Sequence, residues 1–298
     1  MDCWWPHYRT GEQPVELMSP QKTITSTRQL PYLLGQRRVF SWLVAVKLSI
    51  AIGLIVSGST FGQEPLGPEH RSADQSREDL DKLLRQNARE KWGSEVEKLR
   101  QLDQIETYPD DAILFLGSSS IRLWDGIAED LAPLVPIRRG FGGAQSVDLA
   151  VFGPELLQAH RYSMLVVFVA NDISGEDGKS DHSPDDVLTW MREVWQASQQ
   201  HQPDAPLLVI EVTPTNRRRH VWELQRILNH RLRDWTLQEP NVYFLPTAEY
   251  FLDAQDQVRS ELFVEDRLHL SRQGYQLWGS LIRRRIRELQ SGVIHPQK

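Results

Sequence analysis

A glycine followed by three serines, Gly117-Ser118-Ser119-Ser120, interrupts the stretch LFLGSSSIRLW between an apolar run and the start of a helical pattern. A serine on a tight strand-to-helix turn exposes its hydroxyl beside orphan backbone N–H groups, an arrangement suited to a nucleophile and the oxyanion it generates. Serine is also a good helix N-cap and a poor interior residue, so capping is the competing account. Three serines cannot all cap one helix. The G-x-S-x-G elbow is incomplete here, since the second glycine is absent.

Three other polar stretches carry residue types that such a serine would need. FVEDRLHLSRQGYQLW places Asp266 and His269 three apart, so one short loop holds an imidazole and the carboxylate that could orient it. Ser271 with Gln273 and Gly274 could equally mark a helix start with His269 as an ordinary loop residue. A metal set is the third option, but no H-E-x-x-H or histidine cluster accompanies the pair. In RGFGGAQS, Gly142 and Gly143 suit either a tight turn or a backbone N–H brought close to a developing charge. The glycines fit neither a dinucleotide fingerprint nor a phosphate loop. Asn171 and Asp172 follow an apolar run; Asn could donate an amide N–H and Asp172 could hold the loop, or the two could form an Asx turn. Arg217, Arg218 and Arg219 read first as a solvated face, and second as guanidinium groups steering a carboxylated substrate.

The elements that must position these residues alternate. Ala112–Gly117, Met164–Ala170, Leu207–Val212 and Val242–Leu245 are near-continuous apolar runs, with a weaker one at Val135–Arg138, as expected of strands covered on both faces. Helical patterns fall at Pro184–Gln200, Trp222–Leu237 and Arg272–Leu289. Such alternation predicts an α/β fold, a three-layer α/β/α sandwich around a flavodoxin-like parallel sheet, whose ligands bind beyond the carboxyl ends of the strands. Gly117–Ser120, RGFGGAQS, NDIS and TPTNRRR fall at or near such ends.

Upstream, REDLDKLLRQNAREKWGSEVEKLRQLDQIE has apolar residues at helical spacing from Leu80 to Leu102, with Gly93 as a place where it could divide in two. Residues 63–76 are polar with Gly and Pro and read as a linker; 77–290 is the globular domain with this helical extension, and 291–298 is a tail. Residues 1–62 read as a leader. Arg37 and Arg38 precede an apolar stretch, Val39–Val56, and a small-residue run, the layout of a signal peptide or, if uncleaved, a membrane anchor. Lys47 within the apolar stretch argues against a stable span. The expected location is therefore periplasmic or extracellular.

Composition narrows the remaining classes. Of 298 residues, 25% are charged and 40% hydrophobic, with a formal net charge of −6, so no electrostatic footprint for nucleic acid is present. Cys3 is the sole cysteine, which leaves no disulfide framework or thiolate metal cage.

The ordered set FLGSSSIRLW, RGFGGAQ, VANDIS and EDRLHLSRQGYQLW resembles the four blocks of the SGNH hydrolases, the GDSL-like lipases and acylhydrolases, in the branch similar to platelet-activating-factor acetylhydrolase catalytic subunits. The resemblance implies Ser119 as nucleophile, His269 as base and Asp266 as its orienting acid. It also implies an oxyanion hole from the backbone of Ser119 and Gly143 with the Asn171 amide, and no metal or cofactor. Ser118 stands where the family usually has aspartate. The glycine that usually precedes the block-three asparagine is replaced, since Phe168, Val169 and Ala170 occupy that stretch; a bulkier turn there would tilt Asn171 or narrow the acyl pocket. Relatives of this kind suggest a short-chain, acetyl esterase on O-acetylated saccharide. A lipid acylhydrolase and a catalytically silent carbohydrate-binding protein are the alternatives.

Overall fold

The computed structural model describes residues 68–177 and 181–292. The segment read as a leader, 1–62, and most of that read as a tail, 293–298 of 291–298, lie outside these. Five strands, β1 (Ile113–Gly117), β2 (Pro136–Gly140), β3 (Met164–Phe168), β4 (Leu207–Ile210) and β5 (Val242–Leu245), form one sheet in the order β2-β1-β3-β4-β5, parallel throughout. Parallel strands need crossover connections, and among the described residues seven α-helices supply or flank them: α1 (Pro68–Asp103), α2 (Ser119–Arg122), α3 (Ile127–Leu131), α4 (Ser146–Gln158), α5 (Pro184–His201), α6 (Trp222–Gln238) and α7 (Arg272–Gln290).

Because side chains alternate across a strand, each central strand feeds two cores. Leu114, Leu116, Val167 and Val209 pack with Ala88 and Val96 of α1, Leu149 and Leu156 of α4, Val194 of α5 and Leu228 of α6. Their neighbours Phe115, Val166, Phe168 and Leu208 pack on the other face with Ile121, Trp124, Leu131 and, from α7, Trp278 and Ile282. Full burial of β1, β3 and β4 on both faces explains their near-continuous apolar sequence. The result is the expected three-layer sandwich with a flavodoxin-like strand order, whose switch point lies between β1 and β3.

Several expectations need correction. Helix α1 begins at Pro68, so 68–76 is helix and not linker. Proline is tolerated in a first helical turn, and the residues after it include good helix formers. Gly93 does not divide α1; it faces open space, and a lone glycine costs only about 1 kcal/mol in a helix anchored on both sides of it. Helix α4 escaped the periodicity reading because Gly153 and Pro154 sit inside it. The runs read as strands to Ala170 and Val212 leave the ladder at Phe168 and Ile210, while β2 extends to Gly140. Beyond β4 the backbone of Val212 is satisfied by a side chain: Asn229 Oδ1 accepts its N–H at 2.9 Å and Asn229 Nδ2 donates to its carbonyl at 3.0 Å. Among the described residues no helix is long and apolar enough to cross a membrane.

Candidate active site

Strand register brings the polar stretches to one level. Gly117 pairs with Gly140 of β2 and Phe168 of β3, so the chains leaving these three strands emerge side by side at their carboxyl ends. Gly117 is required by close approach: a Cβ there would lie 2.3 Å from the Phe168 carbonyl oxygen. Ser118 takes the N-cap position of α2 without a side-chain capping bond, and its carbonyl accepts from Ile121 and Arg122. Ser119 is the first residue of α2 and lines the cleft. Ser120 is held through its carbonyl, which accepts from the Tyr275 hydroxyl at 2.9 Å.

The loop before α7 supplies the other half. Phe263 and Leu270 pair as an antiparallel bridge, closing a tight loop in which Arg267 adopts φ +60. That left-handed residue is unfavourable for an L side chain and lets the loop fold back on Asp266. Asp266 Oδ1 accepts the backbone N–H groups of Leu268 and His269, both at 2.9 Å, and Oδ2 lies 2.6 Å from His269 Nδ1. Partial burial pulls the Asp266 carboxyl upward, but the His269 and Leu268 N–H groups and the His269 ring outweigh it and hold the group below its ordinary value. His269 Nε2 stands 3.0 Å from Ser119 Oγ. Two residues on, Ser271 does cap α7, accepting from Gly274 N–H at 3.1 Å. Ser271 thus opens the helix, while His269 faces Ser119 from the loop before it.

Gly142 takes the strained turn of the glycine pair, with φ +35, and Gly143 lies beside Asn171, whose Nδ2 is 3.9 Å from the Cβ a side chain at 143 would carry. Asn171 Nδ2 donates one hydrogen to the Ala144 carbonyl at 3.0 Å, which leaves the second amide hydrogen available. Asp172 is buried and ties the two loops: Oδ1 accepts Ser146 N–H at 2.8 Å and Oδ2 accepts the Ser146 hydroxyl at 2.9 Å. Burial pushes its carboxyl up to about 6 despite the Ser146 bonds, with the nearby Asp148 charge adding to the rise.

Of the three arginines, one departs from the solvated-face reading. Arg218 is 2% exposed and reaches under the Asn171 loop, with Nη1 donating to the Ala170 carbonyl at 2.6 Å and Nη2 to Asn171 Oδ1 at 2.8 Å. Burial lowers its pKa, and Glu176 opposes that shift. Nothing in the RRR triplet distinguishes its middle member; only the fold turns that one inward. The cleft lined by Ser119, His269, Asn171, Phe168, Ala170 and Trp278 contains about 480 Å³, open mouth included. Phe168 meets Trp278 edge-on at 4.9 Å across its wall.

The sequence of residues 107–277 matches the model of the GDSL-like Lipase/Acylhydrolase family. No curated protein matches the chain. Among solved structures, a Streptococcus pneumonia protein provisionally described as a platelet activating factor superposes with a TM-score of 0.55 at 22% identity, covering 69% of this chain and 97% of its own. A GDSL-like lipase from Bacteroides thetaiotaomicron gives a TM-score of 0.55 at 14% identity, covering 65% and 98%. At these identities the likeness concerns the fold.

Proposed function

Because the chain belongs to the GDSL-like lipase/acylhydrolase family, we propose that it is a serine ester hydrolase acting through an acyl-enzyme on short-chain, acetyl esters of a saccharide. The observation that carries the mechanism is the relay from Asp266 through His269 to Ser119, with contacts of 2.6 and 3.0 Å. In this reading His269 Nδ1–H donates to Asp266, leaving Nε2 free to take the Ser119 proton as Oγ attacks the ester carbonyl. The tetrahedral oxygen is held by the backbone N–H groups of Ser119 and Gly143 and the spare amide hydrogen of Asn171. His269 returns the proton to the departing alcohol. It then deprotonates water, which attacks the acyl-serine, releasing the acid and regenerating Ser119.

A small acyl group fits the cleft wall, where Phe168 and Trp278 close one side and the Ala170 methyl takes up space beside Asn171. Export fits a saccharide substrate. It rests on the basic, apolar and small-residue order of 37–62, and an N-terminus of the mature protein near residue 63 would test it.

The decisive experiment treats the full chain with a fluorophosphonate probe and compares hydrolysis of acetyl and octanoyl esters. Labelling at Ser119 that is lost in His269→Ala, with kcat/KM highest for acetyl, is expected. Unchanged kcat/KM in Ser119→Ala would refute the mechanism, and a preference for octanoyl would move the substrate to lipid.

A further inference from the structure

The turn that carries Gly143 is braced by a helix that ends before the matched family region begins at 107. Glu95, on α1, accepts the Gly142 N–H at 2.9 Å through Oε1. The same oxygen lies 3.5 Å from Arg122 Nε on α2, the helix that opens with Ser119. One carboxylate thus touches the glycine turn and the nucleophile's helix together. Arg122 offsets the charge, so Glu95 holds the turn without presenting an isolated anion to a site that must stabilise one.

Trp92, three residues earlier and so on the same helix face, closes the turn from above. A Cβ at 142 would sit 1.9 Å from its indole ring, so the ring fills the place where any side chain would go. Trp92 Nε1 donates to Asp148 Oδ2 at 3.0 Å, and that oxygen also accepts the Gln145 N–H at 2.8 Å. Both ends of the 142–145 loop are therefore tied to α1. The helix is itself fixed: Arg85 pairs with Glu193 of α5 at 2.8 Å, Trp190 Nε1 donates to Asp81 at 3.0 Å, and Asp103 meets the buried Arg139 of β2.

We propose that α1 is a built-in brace of the oxyanion turn, with Glu95 as a positioning residue that fixes the Gly142 peptide and thereby aims the Gly143 N–H. The proposal rests on the ester-hydrolase reading for its kinetic consequence and on the Gly142 hydrogen bond for its structural one. A turn that loses this bond can rotate about Gly142, whose glycine backbone offers little resistance. The substrate still binds, but the transition-state oxygen loses a well-aimed donor.

The test uses full-length Glu95→Ala and Glu95→Gln. Gln keeps an oxygen for Gly142 while giving up the Arg122 ion pair. Misplacing one donor predicts a fall in kcat of about 10- to 100-fold for Glu95→Ala with KM within about threefold, and kcat within about threefold of wild type for Glu95→Gln. The Gly142 amide proton resonance should move upfield in Glu95→Ala and stay near its wild-type position in Glu95→Gln. Glu95→Ala turnover within about twofold of wild type, or equal losses in both variants, would overturn the brace. If the wild type shows no Ser119-dependent turnover, the ester-hydrolase reading fails. The Gly142 resonance then decides the brace alone, and an unmoved signal in Glu95→Ala overturns it.

Discussion

Arg218 Nη2 donates to Asn171 Oδ1 across 2.8 Å, so a buried guanidinium decides which way the Asn171 amide faces. With Oδ1 occupied, the Nδ2 hydrogens must point the other way, one to the Ala144 carbonyl and one toward the cleft. The missing block-three glycine is thereby accommodated. Ala170 is held through its carbonyl by the same guanidinium at 2.6 Å, and Asn171 stays beside Gly143 despite the bulkier turn.

If Arg218 acts through Asn171, their substitutions should not add. Arg218→Lys, which cannot form the two-armed contact, is expected to lower kcat about tenfold with little change in KM. In an Asn171→Ala background the same change should cost less than about threefold. A full cycle of kcat/KM values checks this, and additive losses would assign Arg218 a role in general stability.

Ala170 offers a direct measure of pocket size. Ala170→Gly removes a methyl from the cleft wall, and one methylene in such a pocket is worth roughly 1–3 kcal/mol of discrimination. The ratio of kcat/KM for butyryl over acetyl esters should rise by about tenfold or more. An unchanged ratio would place the acyl group elsewhere in the cleft.

The sheet was legible because β1, β3 and β4 are buried on both faces, which leaves no polar alternation to confuse them with helices. The convergence of the candidates Ser119, Asp266 and His269 was legible because block order marks them, at a strand's carboxyl end and in the short loop before α7. Glu95, Trp92 and Arg218 were not. Glu95 and Trp92 look like the charged and apolar members of any amphipathic helix, and Arg218 has identical neighbours on both sides. Their roles depend on which residues the fold brings opposite them, as Gly142 is brought to Trp92 and Asn171 to Arg218. Local spacing carries no record of that. Helix α4 was hidden for a different reason, since its Pro154 breaks the pattern that tertiary packing tolerates.

Asp172 predicts an unusual sign for stability against pH. Its folded pKa is raised from an ordinary 3.8 to about 6, so the folded state binds the proton more tightly than the unfolded chain. The contribution is most favourable below about pH 4 and is lost progressively as pH rises through about 6, on the order of 3 kcal/mol in all. Asp172→Asn removes this dependence. The Tm of Asp172→Asn minus that of wild type should therefore become more positive between pH 4 and pH 7. A difference that is flat or falls over this interval would show that Asp172 is ionised in the folded protein throughout.

The anchor of α1 makes the last prediction. Arg139 is fully buried at the end of β2, where Asp103 Oδ1 lies 2.7 Å from its Nε and also accepts from His160 Nε2 at 2.8 Å, while Glu106 accepts from Arg139 Nη2 at 3.0 Å. Burial and the Arg139 charge hold His160 below its ordinary pKa, against the opposing pull of Asp103. Asp103→Ala would leave a buried guanidinium with the more exposed Glu106 as its anionic partner, and breaking a buried pair in this way costs about 3–5 kcal/mol. Replacing both partners, Asp103→Leu with Arg139→Met, removes the unpaired charge and should lose much less than the single change. Urea denaturation of the wild type and the two variants measures the order. If the double variant is as unstable as Asp103→Ala, the stabilisation comes from the shape of the joint between α1 and β2, and the ion pair is incidental to it.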